Sequence, residues 1–242
     1  MLTLADTKRL LGLRYSDWLL GAPSIEAGIA ASGMAQDEWG HARLLYAMLK
    51  DLGADPRDVE HQRPASAYAS VDALDRSCDD WADVIGLVVV VDGAASVALE
   101  SFAEGVWPAA RTRVPKMLGE EAFHRDLGLA WLRRLGGGTD EARERIRSAV
   151  QFLLPRTLAW LAPVDEDAER LVGEGLTGSA ADAIERYGAR YAEAFAGVGV
   201  DLSAVAPERG GWEAERRRGP GQPDEEVLER ARGDRNRALF VE

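Results

Sequence analysis

Two of the three histidines in this chain stand three residues after a glutamate, in Glu38-Trp39-Gly40-His41 and Glu121-Ala122-Phe123-His124. On a helix, a spacing of three puts both side chains on one face. A carboxylate offers hard oxygen and an imidazole offers nitrogen, a combination that suits iron or manganese. A single such pair is more often a surface contact or a buried, hydrogen-bonded histidine. Two pairs on two helices follow the ligand pattern of di-metal bundles. Asp92 is the natural third carboxylate. It sits inside the apolar stretch Val88-Val89-Val90-Val91-Asp92-Gly93-Ala94-Ala95, where a carboxylate is costly unless it is paired or binds a cation. The alternative for Asp92 is a buried helix–helix hydrogen bond.

Helical periodicity supplies the elements that must position these residues. A first helix is expected from Thr3 to about Leu20, ended by Gly21 and Pro23. Ser24 can cap a second that runs to about Leu52, with Gly53 as its stop. Residues 54 to 80 read as polar and irregular, with a short helix near 72 to 79. A third helix should cover about Trp81 to Gly105, and a fourth about 116 to 135, after Pro108 and Pro115. Thr139 starts a fifth, to about Leu161, and a sixth spans about 178 to 196. The valine run 88 to 91 has high β-propensity but lies in a helix-length element, so it reads as buried helix. If helices three and four are antiparallel, Asp92 and Glu121 are equidistant from Trp107-Pro108 and share a level, each about 21 Å from the turn. These readings give an all-α fold, with residues 1–200 as one helical domain. Residues 201–242 form a C-terminal tail, extended except for a short helix near 224 to 232.

The 242 residues are 46% hydrophobic and 29% charged, ordinary for a globular chain, with a formal net charge of −12. Acidity argues against nucleic acid or an anionic membrane as partner. The single cysteine, Cys78, can build neither an intrachain disulfide nor a thiolate metal site. The N-terminus lacks a signal-peptide pattern, and a cytoplasmic setting is expected. The longest apolar run, Val84 to Val91, is too short to cross a bilayer.

Three segments carry a resemblance: Ala35-Gln36-Asp37-Glu38-Trp39-Gly40-His41, Val91-Asp92-Gly93-Ala94-Ala95 and Glu120-Glu121-Ala122-Phe123-His124. They resemble the metal-binding segments of the catalytic subunit of phenylacetyl-CoA epoxidase. Arg14-Tyr15-Ser16-Asp17-Trp18 and Trp131-Leu132-Arg133-Arg134-Leu135-Gly136-Gly137-Gly138-Thr139-Asp140 resemble the non-catalytic paralogous subunit of that complex. The resemblance covers about residues 8 to 200, with a faint continuation at Gly233-Asp234-Arg235-Asn236-Arg237. It implies a ferritin-like four-helix bundle with extra helices, a di-iron site (manganese is the alternative) and O₂-dependent oxidation of an aromatic acyl-CoA. The implied metal ligands are Glu38, His41, Asp92, Glu121 and His124, with Glu38, Asp92 and Glu121 also in catalytic roles. Glu38 and Glu121 are the bridging candidates. A separate reductase would supply electrons, and the chain would form a homodimer or pair with a paralogous subunit. The competing expectation is a non-catalytic structural subunit of a multicomponent oxygenase.

One position departs from the family pattern, which has a first-helix glutamate as sixth ligand. Here Lys8 falls at that place, and a protonated lysine cannot ligate. Three outcomes are open: Lys8 pairs with a site carboxylate, a register shift brings Asp6 in, or water fills the position. Other candidates are weaker. His61 reads as solvated, Glu120 as either supporting the site or facing solvent, and Glu100 and Glu104 as alternative ligands. Trp18, Trp39, Trp131 and Trp160 read as core, and Arg216 to Arg218 as a solvated tail.

Overall fold

The structure is a computed structural model that describes residues 1–237 and 239. Among those residues it is all-α, with a lone antiparallel bridge between Glu213 and Arg218 and no strand. Numbered in chain order, the helices are α1 Leu2–Asp17, α2 Ile25–Met48, α3 Pro56–His61, α4 Trp81–Gly86, α5 Gly93–Glu104, α6 Pro108–Gly136, α7 Asp140–Leu161, α8 Glu166–Gly173, α9 Ala180–Ala196, α10 Glu225–Arg232 and α11 Asp234–Arg237. A π-helical segment, Leu87–Asp92, joins α4 to α5.

The chain divides into two compact units, Met1–Ser77 with Pro220–Glu242, and Cys78–Gly219. In the first unit α1 packs along α2 and against α10. Ser24 caps α2 by accepting from the Ala27 amide, and Gly53 ends the following 3₁₀ turn at φ 85, a left-handed conformation that glycine adopts without a Cβ penalty. Helix α1 is buried around its whole circumference from Leu4 to Tyr15, charged residues included. Arg14 donates to the carbonyls of Leu74 and Asp75. Arg63 donates to Asp6 and to the carbonyls of Val59 and Ala67. Residues 54 to 77 are thereby tied down by side chains, and they hold α3 and a 3₁₀ turn at Asp72–Asp75. The tail is not extended away from this unit: Leu228 is buried and Arg232 donates to the Arg63 carbonyl.

In the second unit α5 lies on α6, α4 on α7, and α9 against α5 and α7. Asp80 caps α4, Thr139 caps α7, and Ser179 with Asp182 forms a capping box on α9. Two boundaries differ from the sequence reading. Helix α6 begins at Pro108, eight residues earlier than expected, because proline is favoured at the first helical position. Pro115 then sits inside the helix at the sacrifice of one backbone bond. The helix α8 was not anticipated; Asp165 caps it through the Ala168 amide. The continuous helical element Trp81–Glu104 has 24 residues and a mean hydropathy of 2.0, long and apolar enough to cross a membrane by length and composition. The apolar run alone understated it. Its most apolar window is 89% buried within the protein, the pattern of a core helix.

Candidate metal centre

Asp92 is the last residue of the π-helical segment, whose valines 88 to 91 are all buried. A π-turn widens the helix by one residue and is frequent at functional sites. The Tyr187 hydroxyl donates to the Val90 carbonyl in this segment at 3.2 Å. Helix α6 brings Glu121 and His124 to the same level, as the antiparallel reading requires. The His124 Nδ1 lies 3.1 Å from Asp92 Oδ2 and 3.6 Å from Glu121 Oε2. The Ser96 hydroxyl on α5 donates to Glu121 Oε2 at 3.1 Å. Asp92, Glu121 and His124 are 1%, 3% and 1% exposed, and each offers a ligand atom within 4.8 Å of the others.

Close packing makes this arrangement attainable. Gly128 lets α6 approach the π segment: a Cβ there would meet Val88 Cγ1 at 2.6 Å. A Cβ on Gly93 would meet the Tyr191 hydroxyl at 2.7 Å. Tyr191 is a residue that sequence reasoning missed. Burial pushes its phenol well above the ordinary value, and the Asp92 and Glu121 carboxylates add to this against the Arg190 and Arg125 guanidiniums. It is therefore a neutral hydroxyl beside the residue that follows Asp92. The visible signal was the aromatic stripe Tyr187, Tyr191, Phe195 at helical spacing, whose rings pack at 5.0 to 6.1 Å.

Glu38 and His41 lie on the buried face of α2 in the first unit. Here Lys8 reaches across from α1, and its Nζ donates to Glu38 Oε1 at 3.0 Å, both side chains 0% exposed. Of the three outcomes open for Lys8, the structure shows the ion pair. Asp6 is not a substitute ligand, because it accepts from the Tyr46 hydroxyl at 2.6 Å, from the Ala69 amide at 2.8 Å and from Arg63.

The remaining candidates separate clearly. Glu100 and Glu104 pair with Arg190 and Arg186, and Glu120 pairs with Lys116 at 3.5 Å on the half-exposed side of α6. His61 is half-buried beside Glu60. Of the four tryptophans expected in the core, Trp160 is buried, and Trp18, Trp39 and Trp131 are intermediate. The Arg216–Arg218 run is not a solvated tail. Arg218 is 0% exposed, Arg216 pairs with Glu213, and Arg217 lies 3.5 Å from Asp165.

Donor chemistry can be tested against a resident metal in each unit separately. Two carboxylates and an imidazole on α5's leading edge and α6 form a buried set that fits one Fe²⁺ or Mn²⁺ ion. The Glu38-x-x-His41 pair has the right donors, but a cation already holds one of the glutamate oxygens. A family model described as Phenylacetic acid catabolic protein matches residues 1–231. The chain belongs to that family. Members of it have the ferritin-like fold. The C subunit of 1,2-phenylacetyl-CoA epoxidase from Escherichia coli (strain K12) is 26% identical over 210 residues, 86% of this chain and 83% of the relative. The A subunit of the same complex is 26% identical over 159 residues, 64% of this chain and 50% of the relative. This member of the Phenylacetic acid catabolic protein family is thus similar to both, and its buried acid–imidazole cluster can bind a metal ion.

Proposed function

We propose that this chain is the metal-bearing subunit of a multicomponent oxygenase that resembles phenylacetyl-CoA epoxidase and oxidises an aromatic acyl-CoA or related substrate with O₂. The observation that carries this reading is the buried convergence of Asp92, Glu121 and His124. The metal donors are these three, with Glu38 and His41 as the remaining donors that the family resemblance implies. Iron is the expected metal, manganese the alternative. When bound, the metal supplies O₂ activation. The chain's own residues have the following parts. Asp92 orients the His124 ring through Nδ1, a contact of the kind that fixes tautomer and basicity. Ser96 fixes one oxygen of Glu121. Burial of Asp92, Glu121 and His124, at 1%, 3% and 1% exposure, strengthens every charge interaction among them. Tyr191 holds a proton on its phenol beside Gly93. The rest of the system is a separate reductase with a paralogous partner, in a cytoplasmic setting.

The test is reconstitution with a reductase and a paralogous partner protein, with product formation from phenylacetyl-CoA followed against O₂ uptake. Asp92→Asn with His124→Ala should remove both metal and turnover. If that double variant turns over like the wild type, the catalytic reading is lost and the chain is the non-catalytic subunit. The Lys8–Glu38 pair is the observation that favours this second reading.

A further inference from the structure

We infer that the outer face of α2 is an interface on which a second copy of this chain docks, its α2 running antiparallel to the first. This face belongs to the first unit alone, and nothing in the pairing depends on a bound metal.

Within residues 1–77, the large hydrophobic side chains that stay exposed are Leu19, Leu20, Ile25, Ile29, Leu44 and Leu52. All lie on α2 or in the turns that flank it. Ile25 is 81% and Ile29 66% exposed. Exposed apolar side chains gathered on one face mark an interaction surface, where scattered ones would not. The exposed residues of α2 recur at helical spacing from Ile25 to Ala47, so they form one face about 33 Å long. That face is complementary to itself when a copy is turned end for end, the arrangement of a two-fold interface. About the midpoint between Met34 and Ala35, Ile29 is matched by Gly40 and Ile25 by Leu44. A Cβ on Gly33 or Gly40 would meet nothing within 4 Å, so each glycine leaves room for an incoming side chain, and antiparallel copies set Ile29 over Gly40 twice. Gln36, near the centre, meets its own counterpart, and each amide can donate to the other's carbonyl. Charge fixes the direction. Glu26 and Arg43 are exposed and matched about the same midpoint, and Arg43 has no hydrogen-bond or ion-pair partner among the described residues. Antiparallel copies bring Glu26 level with Arg43 at both ends of the pair, whereas parallel copies would set like charges together. Glu26 and Arg43 also cancel, so this face is neutral in a chain whose formal net charge is −12, and the acidity of the molecule does not oppose contact here.

Sedimentation velocity of the full chain over a range of concentrations tests this. The wild type is expected to be a concentration-dependent dimer. Arg43→Glu places acids at both ends of each α2 face, and Glu26→Arg places bases there; either should weaken dimerisation by more than about 10-fold. Mixing the two variants should restore a dimer that holds one of each, since unlike charges then meet at both ends. Ile29→Lys, also at an exposed position, should give the same loss and decides the matter if a charge variant does not fold. A wild type that stays monomeric, or that pairs only with a paralogous subunit, would overturn the inference. So would a dimer that these variants leave intact, or two weakened charge variants whose mixture stays monomeric.

Discussion

His124 is the side chain whose loss should be felt most directly. It is the nitrogen donor of the second unit's cluster, 3.1 Å from Asp92 and 3.6 Å from Glu121. Replacing it with alanine is expected to weaken metal binding by more than about 100-fold, beyond the range typical of supporting residues; calorimetric titration with Mn²⁺ would measure this. Lys8 gives the opposite kind of prediction, about stability. Truncating it to alanine takes the Lys8 ammonium from Glu38 in a buried place, at a cost of about 3–5 kcal/mol in the metal-free protein. Adding Glu38→Leu should recover part of that loss, because the carboxylate that Lys8 pairs with is then removed as well. Urea unfolding of the two variants would show it, and an equal loss in both would contradict the buried-pair account.

Helix ends and helix approaches fix where the donors sit. The Gly128→Ala change tests the approach of α6 to the π segment. Its new methyl would stand 2.6 Å from Val88 Cγ1 and 3.0 Å from Val89 Cγ1. Overpacking of this kind costs about 1–3 kcal/mol, against a gain of up to about 1 kcal/mol from helix propensity. Net destabilisation is expected in thermal unfolding, together with weaker metal binding, since α6 carries two of the three donors. Asp80 tests the entry to α4. It accepts from the Ala82 and Asp83 amides at 2.8 and 3.1 Å and from Arg145 at 2.7 Å. Burial alone would raise its pKa, but the Arg145 hydrogen bond and the two amides outweigh burial and hold it below the ordinary carboxylate value. A carboxyl depressed in the folded state stabilises above its unfolded pKa of about 3.9, and that stability is lost as pH falls through the folded value. Asp80→Ala should therefore cost about 0.5–2 kcal/mol at neutral pH. The gap to wild type should narrow below about pH 4, which denaturation at stepped pH would reveal.

For the molecule as a whole, metal binding is a folding ligand. An ion that binds the native state and not the unfolded chain stabilises by about 2.7 kcal/mol at 100 times its dissociation constant. For a chain of this length that corresponds to a melting shift of roughly 5–10 °C. Saturating Mn²⁺ should raise the melting temperature by that amount and excess chelator should reverse it. Asp92→Asn with His124→Ala should show no response. A wild type equally indifferent to metal would count against the metal centre without any appeal to activity.

The sequence by itself determined most of the long helices, the level shared by Asp92 and Glu121, and the donor types, because period, caps and spacing are local properties that survive without tertiary context. Ser24, Gly53 and Thr139 marked helix ends that the structure keeps, while Pro115 was misread as a breaker because a proline near a helix start is tolerated. Lys8 stood out as the wrong residue at a ligand position, yet whether it paired, slipped aside for Asp6 or left space depended on how α1 turns against α2. The same holds for Arg218, Tyr191 and the π-turn before Asp92. Each depends on which side chain fills the space left by a distant residue, and a linear pattern does not carry that information. Only packing decided that Lys8 pairs with Glu38 and that Glu121 and His124 gather beside Asp92.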